Sequence, residues 1–166
     1  KISGTGSASK TFDALSGKFV YETFVLVPAK QSASLVLKNA NASVINVEAK
    51  NNLFYVNGTS YRAFNSNVWQ LVRIEGDTEK KTALVKINGK KITTVPFEAD
   101  AVTGIEILAS GEGDFWFDDV ELYNTYDYAD YVATPVPVNN DGYYVDRSSC
   151  SLWHVGTHYG WDMIPP

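Results

Sequence analysis

Three asparagine-led dipeptides, Asn51-Asn52, Asn57-Gly58 and Asn88-Gly89, constrain this chain more than any other feature. Each can adopt the positive φ angles that two-residue hairpin turns of the primed types demand, because Asn and Gly tolerate the left-handed region best. Apolar runs flank each of them. Asn57-Gly58 stands between Phe54-Tyr55-Val56 and Tyr61, and is the clearest hairpin. The run Phe19 to Val27 alternates with period two: Phe19, Tyr21, Thr23, Val25 and Val27 point one way, and Val20, Glu22, Phe24 and Leu26 the other. One of those faces meets a core.

Further β-type runs follow at Ser34–Leu37, Val44–Ala49, Leu53–Val56, Ser60–Phe64, Trp69–Glu75, Thr82–Ile87, Ile92–Val95, Gly104–Leu108 and Phe115–Tyr123. No stretch between them has the length and apolar spacing of an amphipathic helix. Roughly ten strands with turn signals between them favour antiparallel sheets packed face to face, so the expected class is an all-β sandwich of jelly-roll type. The 166 residues suffice for one core with an appendage, and 45% hydrophobic against 20% charged residues is the composition of a globular domain. A net charge of −5 argues against nucleic acid, whose binding rests on Lys and Arg neutralising phosphates. The single Cys150 excludes an internal disulfide and any multi-cysteine metal site.

Composition changes after Tyr123. Residues 124–166 hold four of the six Pro and six of the ten Tyr, and set five Asp against the lone Arg147. The expected organisation is a sandwich over residues 1–123, then a linker or wrapping tail over 124–166. Within it, Ala133-Thr134-Pro135-Val136-Pro137-Val138 suits an extended strap. The abrupt start at Lys1 is read as the start of a piece of something longer.

Three segments resemble the concanavalin A-like or laminin-G-like sandwiches of lectins and of the accessory modules of polysaccharide-degrading enzymes. They are Asn67-Val68-Trp69-Gln70-Leu71-Val72-Arg73-Ile74, the hairpin Val85-Lys86-Ile87-Asn88-Gly89-Lys90-Lys91-Ile92, and Phe115-Trp116-Phe117-Asp118-Asp119-Val120-Glu121-Leu122-Tyr123. The stretch Ser148 to Asp162 looks like the opening of a following catalytic domain in a modular glycoside hydrolase. The resemblance implies a non-catalytic carbohydrate-binding module of a secreted or cell-surface bacterial enzyme, with a polysaccharide or glycan as partner and the downstream catalytic domain in the same chain. The alternatives are a structural spacer that only docks the next domain, and a sandwich-fold glycosidase or lyase.

Sugar binding needs aromatic faces for pyranose CH surfaces and planar polar groups for hydroxyls, and Tyr55, Tyr61, Arg62, Trp69 and Trp116 are the candidates. Strand-borne tryptophans are as a rule core, whereas Tyr55 and Tyr61 flank a turn and keep a polar tip in water, so the tyrosines are expected to form the platform. If Val120 and Leu122 face the core, alternation turns Trp116 and Asp118 inward too. A buried Asp118 needs a partner: a structural calcium ion, which the sandwiches this chain resembles often carry, or else backbone amides or a pairing with Arg or Lys. His154 and His158 stand four apart but lack helix-forming residues between them, and read as surface or interface histidines. Cys150 reads as a buried or interface thiol. Glu48 and Glu106 are isolated between apolar residues, as solvent-facing strand residues are, and no strand carries the carboxylate array of a sandwich hydrolase.

Overall fold

A computed structural model describes residues 1–125. Asn124 ends the last strand; from residue 126 onward the expected linker, proline strap and start of a further domain lie outside the described residues, as do Cys150, His154 and His158. Twelve strands and no helix make up the described chain: β1 (Ile2–Ser3), β2 (Gly6–Leu15), β3 (Lys18–Leu26), β4 (Ser32–Asn39), β5 (Ala42–Lys50), β6 (Leu53–Val56), β7 (Thr59–Ala63), β8 (Gln70–Asp77), β9 (Thr82–Ile87), β10 (Lys90–Pro96), β11 (Val102–Ser110) and β12 (Asp114–Asn124). They form two six-stranded sheets. One runs β1-β12-β3-β8-β9-β10 and the other β2-β11-β4-β5-β6-β7. Every pairing is antiparallel.

The expected all-β sandwich is the observed one. All three Asn dipeptides lie in the left-handed region, with Asn51 and Asn52 at φ 51 and 59, Asn57 and Gly58 at 48 and 84, and Asn88 and Gly89 at 50 and 74. They close the β5–β6, β6–β7 and β9–β10 hairpins. The Asn88 side chain does more: its Oδ1 accepts from the Leu71 amide at 2.8 Å and its amide nitrogen donates to Gln70 Oε1 at 2.8 Å, tying the β9–β10 tip to the start of β8.

The alternation of β3 also holds. Phe19, Tyr21, Thr23, Val25 and Val27 are all buried and face the second sheet. Around them pack Val72, Ile74, Val85, Ile87 and Phe115 from the same sheet, and Leu35, Leu37, Ile45, Val47, Phe54 and Val56 from the other. Each such side chain contributes on the order of 1.5–3 kcal/mol of hydrophobic stabilisation. Gly76 sits across from Phe19 because a Cβ there would come within 2.1 Å of the Phe19 ring. Among the described residues the buried Tyr21 hydroxyl has no hydrogen-bond partner, and loss of solvation raises its pKa far above the usual phenol value.

Besides the two-residue β1, two strands depart from the sequence-based reading. The first is β2, which the alternation did not reveal: it is an edge strand whose Gly6-Ser7-Ala8-Ser9-Lys10 run carries few apolar residues. The second is β12, in which the assumed inward set is wrong. Asp118 pairs with Phe24 but Glu121 with Glu22, so Asp119 and Val120 together oppose the single residue Thr23. That is a β-bulge, with Asp119 at φ 46. The extra residue shifts the alternation by one. Phe115 and Phe117 point inward before the bulge and Leu122 after it, while Trp116, Asp118 and Val120 are exposed.

Thr23 holds the bulge in place. Its side chain is buried and its hydroxyl donates to the Asp118 carbonyl at 2.8 Å, satisfying a group that the interrupted ladder would otherwise leave unpaired. Thr23→Val keeps the shape and removes the donor. It is expected to cost about 1–3 kcal/mol in chemical denaturation, the desolvation penalty of a stranded carbonyl, and a variant as stable as the parent would show that the hydroxyl does not support the bulge.

Candidate functional site

The five residues nominated as sugar contacts do not share one surface. Tyr55 is half-buried on the outer face of the second sheet, opposite Glu48 of β5 and Ser60 of β7. Tyr61 is exposed at a register shift in β7. Arg62 turns the other way: its guanidinium donates to the Ile87 carbonyl at 3.3 Å and so bridges the edge of one sheet to β9 of the other. Arg62 is a tie between layers, and the tyrosines are left without a planar polar partner from it.

Trp69 and Trp116 come together on the outer face of the first sheet. Trp116 of β12 pairs with Leu26 of β3. Trp69 directly precedes β8, one residue past the last paired step, Val25–Gln70, at the end of β3 that carries Leu26. Their exposures are 42% for Trp69 and 44% for Trp116, against the burial that strand tryptophans usually have. Two inter-strand steps separate them, about 10 Å. Phe24, 36% exposed, and Leu71 continue the apolar surface in the next row. Lys1 Nζ stands 5.3 Å from the Trp116 ring centroid and pairs with Asp114 at 3.0 Å, so it borders the platform as a cation on an aromatic face.

Below the aromatic rows lies a charged cluster that sequence reasoning missed. Arg73 Nε donates to Glu75 at 2.7 Å, and its Nη1 donates to Glu22 at 2.7 Å and to the Tyr123 hydroxyl at 3.3 Å. Lys86 donates to the same Glu75 oxygen at 2.7 Å. Glu22, Arg73 and Lys86 stand in one cross-strand row of β3, β8 and β9. Burial alone would lower the Arg73 pKa and raise that of Glu75. The hydrogen bonds from Lys86 and Arg73 win for Glu75, whose carboxyl is held below the usual range, and those to Glu75, Glu22 and Tyr123 keep Arg73 firmly cationic. The signal was present in the sequence: with Val72 and Ile74 inward, Trp69, Leu71, Arg73 and Glu75 must share the outer face.

Beside this cluster opens a cleft of ≈ 440 Å³, with Val20 and Leu84 in its floor and Arg73, Glu75, Asp77 and Thr82 around it. Asp77 accepts from the Glu79 and Lys80 amides at 3.0 and 2.9 Å; the Lys80 amide is the main reason its carboxyl sits below the usual range.

No family model and no curated protein sequence matches this chain. Its fold does have solved counterparts. A tetrameric galectin from the ball sponge Cinachyrella sp. superposes with a TM-score of 0.56 at 18% identity, over 73% of this chain and 100% of the galectin. The carbohydrate binding module CBM66 from Bacillus subtilis gives 0.52 at 14% identity, over 75% of this chain and 84% of the module. The shared fold is a sandwich of two antiparallel sheets. A sialidase also matches, with a TM-score of 0.57 at 16% identity over 76% of this chain, which spans 13% of the sialidase's length.

Asp118 was expected to be a buried calcium ligand of this sandwich. The bulge places it in solvent, where its Oδ1 accepts from the Asp119 amide at 3.0 Å, and among the described residues no three His, Cys, Asp or Glu side chains gather as a metal site requires. The carboxylate therefore has no buried charge for an ion to offset. Chelator treatment tests calcium directly: a fall of several degrees in melting temperature is expected if the fold holds an ion, and an unchanged value would retire it.

The charged cluster makes a further expectation. Glu75 has its pKa lowered by folding, so its contribution is present above the unfolded value near 4.5 and is lost as pH falls through the folded value. Glu75→Gln is expected to flatten the loss of stability between about pH 5 and pH 3, read from denaturation midpoints. An acid limb of unchanged steepness would mean that the cluster does not sense pH.

Proposed function

We propose that this sandwich is a non-catalytic carbohydrate-binding module that docks a polysaccharide or glycan on the outer face of its first sheet. One observation carries the reading: Trp69 and Trp116 are both exposed, on one face, on either side of Leu26, about two pyranose widths apart at roughly 5 Å each. Flat aromatic faces in water suit the CH surfaces of sugar rings, and the adjoining Arg73–Glu22–Glu75–Lys86 cluster offers fixed donors and acceptors for hydroxyls. A galectin and a carbohydrate binding module share the fold, which supports this reading.

The exposure of both tryptophans weighs against the spacer, which would bury its aromatics. The cluster weighs against hydrolysis. A glycosidase needs one carboxyl kept protonated as general acid, whereas Glu75 is held ionised by two cations and Glu22 accepts from the same guanidinium. In this proposal the module belongs to a larger secreted glycan-degrading enzyme and raises its effective concentration on the substrate, with the catalytic domain following in the same chain. Support comes from the aromatic, proline-rich residues after Tyr123 and from the match to a small part of a sialidase.

Affinity electrophoresis through polysaccharide-containing gels tests it. Retardation on at least one polymer is expected, with Trp69→Ala and Trp116→Ala each weakening binding about tenfold, the order of one aromatic contact. Tyr55→Ala and Tyr61→Ala are expected to bind normally. Absence of retardation on every polymer by the folded protein would reject sugar binding and leave the spacer.

A further inference from the structure

The outer face of the first sheet is a track, and its rows can be read from the strand register. Trp116 and Leu26 form the first row, with Trp69 just past the end of the β3–β8 pairing; Asp118, Phe24 and Leu71 form the second; Glu121, Glu22, Arg73 and Lys86 the third; Tyr123, Val20, Glu75 and Leu84 the fourth. The ≈ 440 Å³ cleft opens at the fourth row and continues toward Asp77 and Thr82. Leu26 and Val20 are six residues apart on β3, so the platform and the cleft floor are roughly 20 Å apart, the reach of about four pyranose rings at roughly 5 Å each.

The two ends differ in kind. The first two rows are open and mostly apolar, with Asp118 at their β12 edge, as a stacking platform is. The cleft has an apolar floor, walls that carry charged and hydroxyl groups, and a volume within the range of small-molecule sites. Between them, Arg73 and Glu75 belong both to the charged cluster and to the cleft lining, so the two features are continuous. A mono- or disaccharide on the tryptophans would leave the cleft unused.

Charge defines the ligand further. Along the track lie the carboxylates Asp118, Glu121, Glu22, Glu75 and Asp77. They are met by Arg73, Lys86, Lys18 and Lys80, so the strip is balanced to within one charge and presents no single-sign field. The cations nearest the middle, Arg73 and Lys86, already hold carboxylates at 2.7 Å. A polyanionic chain would have to compete with Glu22 and Glu75 for them and would meet Asp118 and Glu121 on the way.

Building on the sugar-binding reading, we propose that the ligand is an internal stretch of about four residues of a neutral polysaccharide, lying along β3 from the Trp69–Trp116 platform to the Val20–Leu84 cleft. Binding energy then accumulates along the chain, and the tryptophans supply only the first part of it.

The test uses the 166-residue protein and two probe sets. Neutral polymers (cellulose, xylan, mannan, galactan, levan) and acidic ones (pectate, alginate, hyaluronan) are screened by gel retardation, and oligosaccharides of two to six units from whichever polymer is retained are then titrated calorimetrically. The expected result is retention on a neutral polymer, with affinity rising about tenfold or more from two units to four and level beyond. Leu84→Arg, which fills the cleft, and Thr82→Arg as a second probe of it, are expected to bring the four-unit affinity down to the two-unit value. Equal affinity for two and six units, or no effect of both cleft variants, would overturn the extended track while leaving sugar binding intact. Retention on acidic polymers alone would overturn the neutral ligand. No retention on any polymer would instead reject the sugar-binding reading itself.

Discussion

Alternation along β3 governs both halves of this molecule at once. Phe19, Tyr21, Thr23, Val25 and Val27 enter the space between the sheets, and the residues between them, from Val20 to Leu26, form the spine of the outer face. β3 is paired along nearly its whole length by β12 on one side and β8 on the other, so a slip of one residue would put Glu22 and Phe24 into the core and five buried side chains into water. The cost of that exchange, on the order of several kilocalories per mole, fixes the register. With the register fixed, Trp116, Leu26 and Trp69 have no freedom to separate. The outer face is a by-product of what the inner face requires.

Much of this was legible in the residues. Leu53–Val56 and Thr82–Ile87 match the observed strands end for end, because in each an asparagine turn abuts a short alternating run. β2 was hidden because an edge strand with both sides near solvent needs no apolar period, and Ser7, Ser9 and Lys10 give none. The orientation of β12 was hidden for a different reason. Alternation counts residues and assumes one per step, and the left-handed conformation at Asp119 adds one that no hydrophobic pattern records. Of the candidate site, Trp69 and Trp116 are legible as aromatics but their exposure is not, since tryptophan is usually a core residue. The cluster around Arg73 went unseen, because Glu22 and Arg73 lie 51 positions apart in the chain and meet only through the β3–β8 pairing.

That cluster shows how a sheet surface can be polar and still rigid. Arg73, Glu22, Glu75 and Lys86 are each only about a quarter to a third exposed, and their ends are fixed by one another. Isolated long side chains on a strand would have to be ordered by any ligand, at an entropic cost for each. Here the ordering is done on folding, by pairings whose individual contributions to stability are modest at such exposure. Hydroxyls arriving at this face would meet groups already in position.

The bulge at Asp119 has a bearing beyond the orientation of Trp116. Among the described residues, β12 is paired on its outer side only at Asp114 and Phe115, where the two-residue β1 lies against it. The remainder of that edge, up to Asn124, has amide and carbonyl groups that a flat strand would offer to any extended chain nearby. A left-handed residue in mid-strand breaks the spacing of those groups, and Asp118, Asp119 and Glu121 set negative charge along the same stretch. The irregularity that turns a tryptophan outward to solvent thus also makes this edge a poor template for a neighbouring molecule's strand, so that an exposed aromatic face and a blunted edge share one strand.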